Sequence, residues 1–181
     1  MTNRITSSHR KNRFNAIIIG GTGATGKQLL NQLLNNHNCK LVTSIGRRPV
    51  FGGKKNDKLV DIVIESLFNL SSTEKHWEGN DVFFNCIGTT RQRAGGAKEF
   101  INIESGISNE AAKMAANAKI PHASLISAKG ANHKIWAKDW IQPLLYMKTI
   151  GQKEQTIISN FSFNSVSIFK PGMLIRLQGK Q

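Results

Sequence analysis

"IIIGGTGATGKQLLNQLL" occupies residues 17–34. An apolar run meets four glycines, and a helical pattern of leucines follows at once. Glycine costs about 1 kcal/mol relative to alanine inside a helix. Its concentration at a helix start therefore has a reason other than helix stability. Read as Gly20-x-x-Gly23-x-x-Gly26, each glycine has a separate task. Gly20 allows a tight exit from the strand. Gly23 lets backbone approach a pyrophosphate without a Cβ in the way. Gly26 lets the helix pack closely on the strand. The unpartnered N–H groups of the first helical turn then attract an anion, and the helix dipole adds to that attraction. With Thr22, Ala24 and Thr25 between the glycines, the loop is a candidate dinucleotide cradle. The plain alternative is a tight strand-to-helix turn that binds nothing.

Outward from this stretch, strand-like and helix-like segments alternate. Strands are predicted at 15–20, 39–46, 59–67, 80–88, within 121–130 and at 162–172. Helices are predicted at 25–37, 97–119 and 143–160, with a basic, glycine-rich loop at 47–58. Short connections between alternating βα units imply an α/β fold with a doubly wound parallel sheet. The 181 residues suit one domain at 14–181, preceded by a basic and acid-free stretch at 1–13 that reads as a disordered tail. That stretch loosely resembles a transit peptide, but it has no apolar core of the kind a secretory signal needs. No apolar run approaches the roughly 20 residues that span a bilayer. Cys39 and Cys86 form neither a metal spacing nor a disulfide framework, so a cytoplasmic, reducing setting is expected.

The charge is lopsided. Through residue 58 there are eleven basic residues against one acid, Asp57; beyond it fourteen basic residues face ten acids. The first third is an anion-attracting surface. Nucleic acid is one candidate anion and a phosphorylated cofactor another. No basic strand rich in aromatics and no recognition-helix motif accompanies the charge, and Phe, Trp and Tyr make up only 7% of the chain. Nucleic-acid binding is therefore the weaker reading. The second strand ends at Arg47 and Arg48, where an NAD-specific domain would carry an acid for the ribose hydroxyls. Paired guanidinium groups suit a 2′-phosphate instead, favouring NADP.

"GGTGATG" resembles the short-chain dehydrogenases/reductases of the extended and atypical kinds. "SIGRRP", "NCIGTTR", "SLISAKGAN" and "SIFKPG" sharpen this to the Tat-interacting-protein-like oxidoreductases, an atypical branch of that family. The motifs run from about residue 15 to 175 and together are specific, although none is so alone. The resemblance implies a Rossmann fold, NADPH as cofactor and a small carbonyl substrate. It places Glu65 at the adenine edge and runs Cys86, Ile87, Gly88 and Thr89 beneath the cofactor's ribose. It also puts Pro171 and Gly172 at the cofactor. Cys86 reads as packing rather than a nucleophile. Arg91 and Arg93, in the following loop, read as solvated.

The same resemblance assigns catalysis to Ser127, which would hold the carbonyl oxygen, and to Tyr146, which would protonate it. The family's helper is a Lys four residues after the Tyr, on the same helical face. Here that position is Ile150. Lys148 lies roughly 200° around the helix from Tyr146, and Lys153 returns to its face roughly 10 Å further on. The pair is broken. Two readings follow: an NADP-dependent oxidoreductase with a weakened site, or a cofactor-binding protein without turnover, regulatory or redox-sensing. The segment 133–144 also lengthens the gap from Ser127 to Tyr146, and Trp136 and Trp140 in it are expected to pack on the core surface. The resemblance further implies a sheet truncated after the sixth strand. Met173, Leu174, Ile175 and Leu177 would then form an apolar patch, and the last strand an open edge suited to a homodimer.

Overall fold

The computed structural model describes residues 13–138 and 141–172. It is a six-stranded, all-parallel sheet between two helical layers. The strands are β1 (Phe14–Ile19), β2 (Cys39–Gly46), β3 (Leu59–Val63), β4 (Val82–Asn85), β5 (His122–Ile126) and β6 (Ser165–Phe169), in the order β3-β2-β1-β4-β5-β6. The doubly wound expectation is met.

β1 is apolar without alternation because both its faces are covered. Ile17 and Ile19 enter one core with Phe83, Leu125 and Trp77. Ala16 and Ile18 enter the other, against Leu30 and Leu33 of α1 (Ala24–Asn35). All four β1 side chains are fully buried. Each large one contributes roughly 1.5–3 kcal/mol relative to exposure.

The elements depart from the sequence expectation in several places, and β4 and β6 are shorter than the predicted 80–88 and 162–172. β3 ends at Val63, not at 67, because the chain turns there to send Leu67 and Leu70 into the core. A 3-10 turn, Leu70–His76, follows, and delivers the fully buried Trp77, whose indole N–H donates to Thr73 Oγ1 at 2.9 Å. That segment carries no periodicity by which it could be recognised. The predicted helix at 97–119 is a rod in three parts: α3 (Ala97–Ile101), a π turn (Asn102–Ile107) and α4 (Ser108–Asn117). A short helix, α2 (Arg91–Ala94), precedes it, capped by the Thr90 side chain, which accepts from the Arg93 N–H.

The long connection after β5 does not stand off from the fold. It crosses α5 (Gln142–Ser159), where Asn132 N–H donates to Met147 O at 3.1 Å. Gly151 makes the crossing possible: a Cβ there would overlap the backbone of Asn132 and His133. Trp136 is 64% exposed rather than packed on the core, while Trp140 and the expected patch at 173–177 lie outside the described residues, as does most of the 1–13 tail. Gly151→Ala should overpack the crossing and cost roughly 1–3 kcal/mol. Thermal denaturation should show this as a fall in Tm, at roughly 2–4 °C per kcal/mol. Gln152→Ala, at the exposed neighbouring position, should leave Tm unchanged.

Candidate functional site

The chain runs from β1 to β2 on one side and to β4 on the other, so the crevice between the carboxyl ends of β1 and β4 is the topological switch point. Ligands of open α/β sheets bind in such crevices. The glycine loop lies there. Gly20 has φ +80°, and a Cβ on it would stand 2.5 Å from the Cys86 carbonyl. A Cβ on Gly26 would meet the Gly20 carbonyl, so α1 lies directly against the exit of β1. Thr22, Gly23 and Ala24 are exposed and Thr25 is half-buried. No side chain caps the helix. Among the described residues no side-chain oxygen competes for its first N–H groups, and the Gly23 N–H turns back to Gly20 O at 3.0 Å. The cradle fits a pyrophosphate on this chain's own geometry.

Arg47 and Arg48 follow β2 and are exposed. Arg48 lines an open groove of about 810 Å³ with Gly21, Thr22, Lys27, Pro49 and Phe51. Lys54 and Lys55 extend it, and among the described residues no acidic side chain lines it. The turn that forms the groove's wall is pinned by Asp61 Oδ2, which accepts the Val50 N–H at 2.9 Å. Glu65 is exposed, two residues past the end of β3, and does not line the groove.

Across the switch point, residues 86–89 leave β4. Cys86 N–H donates to Ile19 O at 3.0 Å. Burial pushes the Cys86 thiol up to about 11, with Lys153 pulling weakly the other way. At neutral pH it is an uncharged thiol, as the packing role requires. Ile87 is buried, Gly88 exposed and Thr89 half-buried. Two residues that sequence reasoning did not assign hold this stretch. Glu104 Oε1 accepts the Thr89 N–H at 2.6 Å, and Lys153 Nζ donates to Ile87 O at 2.8 Å and to Glu104 Oε2 at 3.1 Å. The one sequence signal for Lys153 was its return to the Tyr146 face of the helix.

Ser127 does not line the cavity that Tyr146 walls. Ser127 is buried, and its hydroxyl donates to Glu154 Oε1 in a short contact. Glu154 Oε2 in turn pairs with Lys170 Nζ at 2.8 Å. Tyr146 stacks on Phe100, with centroids 5.9 Å apart and planes at 30°. The two rings wall a mostly apolar cavity of about 510 Å³ together with Thr90, Arg91, Leu145 and Met147. Ile150 is buried, 3% exposed, and offers no cation to the phenol. Pro171 O accepts the Lys129 N–H at 2.8 Å, extending the β5–β6 pairing, and Gly172 is exposed beyond it.

Residues 20–177 match the family described as NAD(P)H-binding. The chain belongs to that family. Within it the chain falls in the atypical short-chain dehydrogenase/reductase branch that the sequence motifs resemble. It is 35% identical over 161 residues to the mitochondrial protein FMP52 of Debaryomyces hansenii, a match that covers 88% of this chain and 66% of the relative. It is 30% identical over 158 residues to protein HTATIP2 of Rattus norvegicus, covering 87% and 62%. The chain thus spans a little under two thirds of the length of these relatives. In fold it is similar to the oxidoreductase ylbE of Lactococcus lactis, with a TM-score of 0.68 at 17% identity, over 87% of this chain and 68% of that one.

This member of the family has a single tyrosine, so Tyr146 can be titrated without interference from another. Its pKa lies above the ordinary 10.0, first because the half-buried ring is partly desolvated and second because the Glu104 carboxylate repels a phenolate. The unfolded chain therefore loses this proton first as pH rises. The stabilisation is intact below pH 10 and disappears as pH climbs through the native value. The midpoint of the tyrosinate absorbance rise should lie above 10, and Glu104→Gln should move it down. A native midpoint at or below 10 would contradict the burial and charge around the ring.

Proposed function

We propose that the chain is an NADP(H)-binding short-chain dehydrogenase/reductase-like protein whose tyrosine acts without its usual lysine. The observation that carries the reading is the uncapped glycine cradle at the switch point, continuous with a basic groove walled by Arg48 and Lys27. Gly20, Thr22, Gly23, Ala24, Thr25 and Gly26 would hold the pyrophosphate. Arg47 and Arg48 would hold the 2′-phosphate, with Glu65 toward the adenine. Residues 86–89, with Pro171 and Gly172, would border the other half. The bound cofactor would supply hydride to a carbonyl carbon. The apolar chamber beside Phe100 and Tyr146 would take a small carbonyl compound, and the Tyr146 hydroxyl would give its proton to the carbonyl oxygen.

The proton step is the weak one. A phenol whose pKa is raised by burial and by Glu104 has Ile150, not a lysine, four residues on to ease its ionisation. Ser127, committed to Glu154, must exchange that partner before it can hold a substrate oxygen. We therefore propose slow reduction of simple aldehydes and quinones. As for location, no described helix is long and apolar enough to cross a membrane. The cytoplasmic expectation stands against the mitochondrial name of the FMP52 relatives, and the acid-free basic stretch at 1–13 supports import. β6 lies at the sheet edge with Phe169 61% exposed, which supports a homodimer, to be sought by light scattering.

Calorimetric titration should give tighter binding of NADPH than NADH. Changing Arg47 and Arg48 together to Ala should remove the difference. Loss of one charged hydrogen bond costs about 1.5–3 kcal/mol, or roughly 10–100-fold in affinity. Equal affinities in the native protein would withdraw the NADP assignment. Turnover is read from loss of NADPH absorbance with a panel of aldehydes and quinones. Only trace rates are expected, abolished in Tyr146→Phe; fast turnover would show that a lysine at position 150 is dispensable here.

A further inference from the structure

The Glu104–Lys153 pair is buried at the ligand end of the sheet, with side chains 2% and 1% exposed. Such a pair is poor glue for two helices. Replacing a buried ion pair by well-packed apolar side chains of similar size is often neutral or stabilising. What the two ions bind besides each other is one short piece of backbone. Lys153 takes the carbonyl of Ile87, and Glu104 takes the N–H of Thr89. Gly88, between them, is exposed, and a Cβ on it would have only Glu104 Oε1 nearby, at 3.8 Å. The stretch is thus held from beneath at two points and left open above. It also abuts the glycine turn, since a Cβ on Gly20 would stand 2.8 Å from Ile87 N. Glu104 itself belongs to the π turn, a form of helix that is rare and frequent at functional sites.

We infer that Glu104 and Lys153 are positioning residues that fix residues 87–89 in the shape that receives the nicotinamide-side ribose of the dinucleotide. The inference rests on the nucleotide-binding reading above. The two mononucleotide halves of a doubly wound fold lie on opposite sides of the switch point. The arginines after β2 mark the adenosine side, so the end of β4 faces the other half. Neither ion needs to touch the cofactor. Together they set which way the Ile87 carbonyl and the Thr89 amide point, and so what the exposed backbone at Gly88 presents.

This separates the two halves of the ligand experimentally. The double variant Glu104→Gln with Lys153→Met removes both charges at nearly constant volume, and the Gln oxygen can still accept from Thr89. Binding of NADPH and of 2′,5′-ADP, which lacks the nicotinamide half, is measured by calorimetry on native and variant chains after thermal denaturation has shown the variant folded. NADPH should weaken about tenfold while 2′,5′-ADP changes less than twofold. Should the double variant not fold, Glu104→Met with Lys153→Met, which leaves no buried charge unpaired and removes both backbone anchors, carries the same comparison. An unchanged NADPH affinity, or an equal loss for both ligands, overturns the inference and leaves the pair a structural one. Failure of the native chain to bind either ligand would instead overturn the nucleotide reading, and this inference with it.

Discussion

The contact on which the rest depends is the approach of backbone to backbone at the end of β1. Gly20 lies against the Cys86 carbonyl, and Gly26 lies against the Gly20 carbonyl. No side chain fits in either place. The consequence is a three-way junction of β1, α1 and β4 with no side-chain layer between its parts. It presents the uncapped N–H groups of α1 and the backbone of residues 87–89 to the same crevice. A larger residue at either glycine would force these elements apart before any ligand arrived. The helix-start cost of glycine is offset by this geometry, not by local propensity.

The second organising feature is the ladder between the three-part rod at 97–117 and α5. Phe100 meets Tyr146, and Glu104 meets Lys153. One rung is aromatic and walls the apolar chamber; the other is ionic and holds the end of β4. Ile150 lies between them in sequence and is buried. α5 is also tied to the far side of the sheet, because Glu154 joins Ser127 at the end of β5 to Lys170 just past β6. The charged groups on α5 thus organise backbone and neighbouring side chains. None of those contacts brings a cation to the Tyr146 hydroxyl, whose pKa is raised by burial and by Glu104.

Charge divides the crevice. On the β2 side it opens into a groove lined with lysine and arginine and, among the described residues, without acids. On the β4 side Lys153 is buried and paired with Glu104, and the cavity beyond is mostly apolar, with Arg91 in its wall. The family to which the chain belongs is NAD(P)H-binding, and a dinucleotide is long enough to reach both sides.

The sequence by itself determined the architecture and the tight glycine turn from β1 into α1. Ile17, Ile18 and Ile19 without alternation required a strand covered on both faces, and the spacing of Gly20, Gly23 and Gly26 required a helix packed on that strand. These are local rules, set by period and by the lack of a Cβ, so they can be read along the chain. Arg47 and Arg48 were legible for the same reason: they follow a recognisable strand directly. The tertiary structure alone decided the partners of the buried ions. Glu104 and Lys153 are 49 residues apart, and Glu154 lies 27 residues beyond Ser127. No periodicity links such positions, because their meeting depends on how two helices cross the sheet and where a π turn points one carboxylate. Burial then determines which charges must pair, and burial is a property of the packed molecule, absent from any window of its sequence.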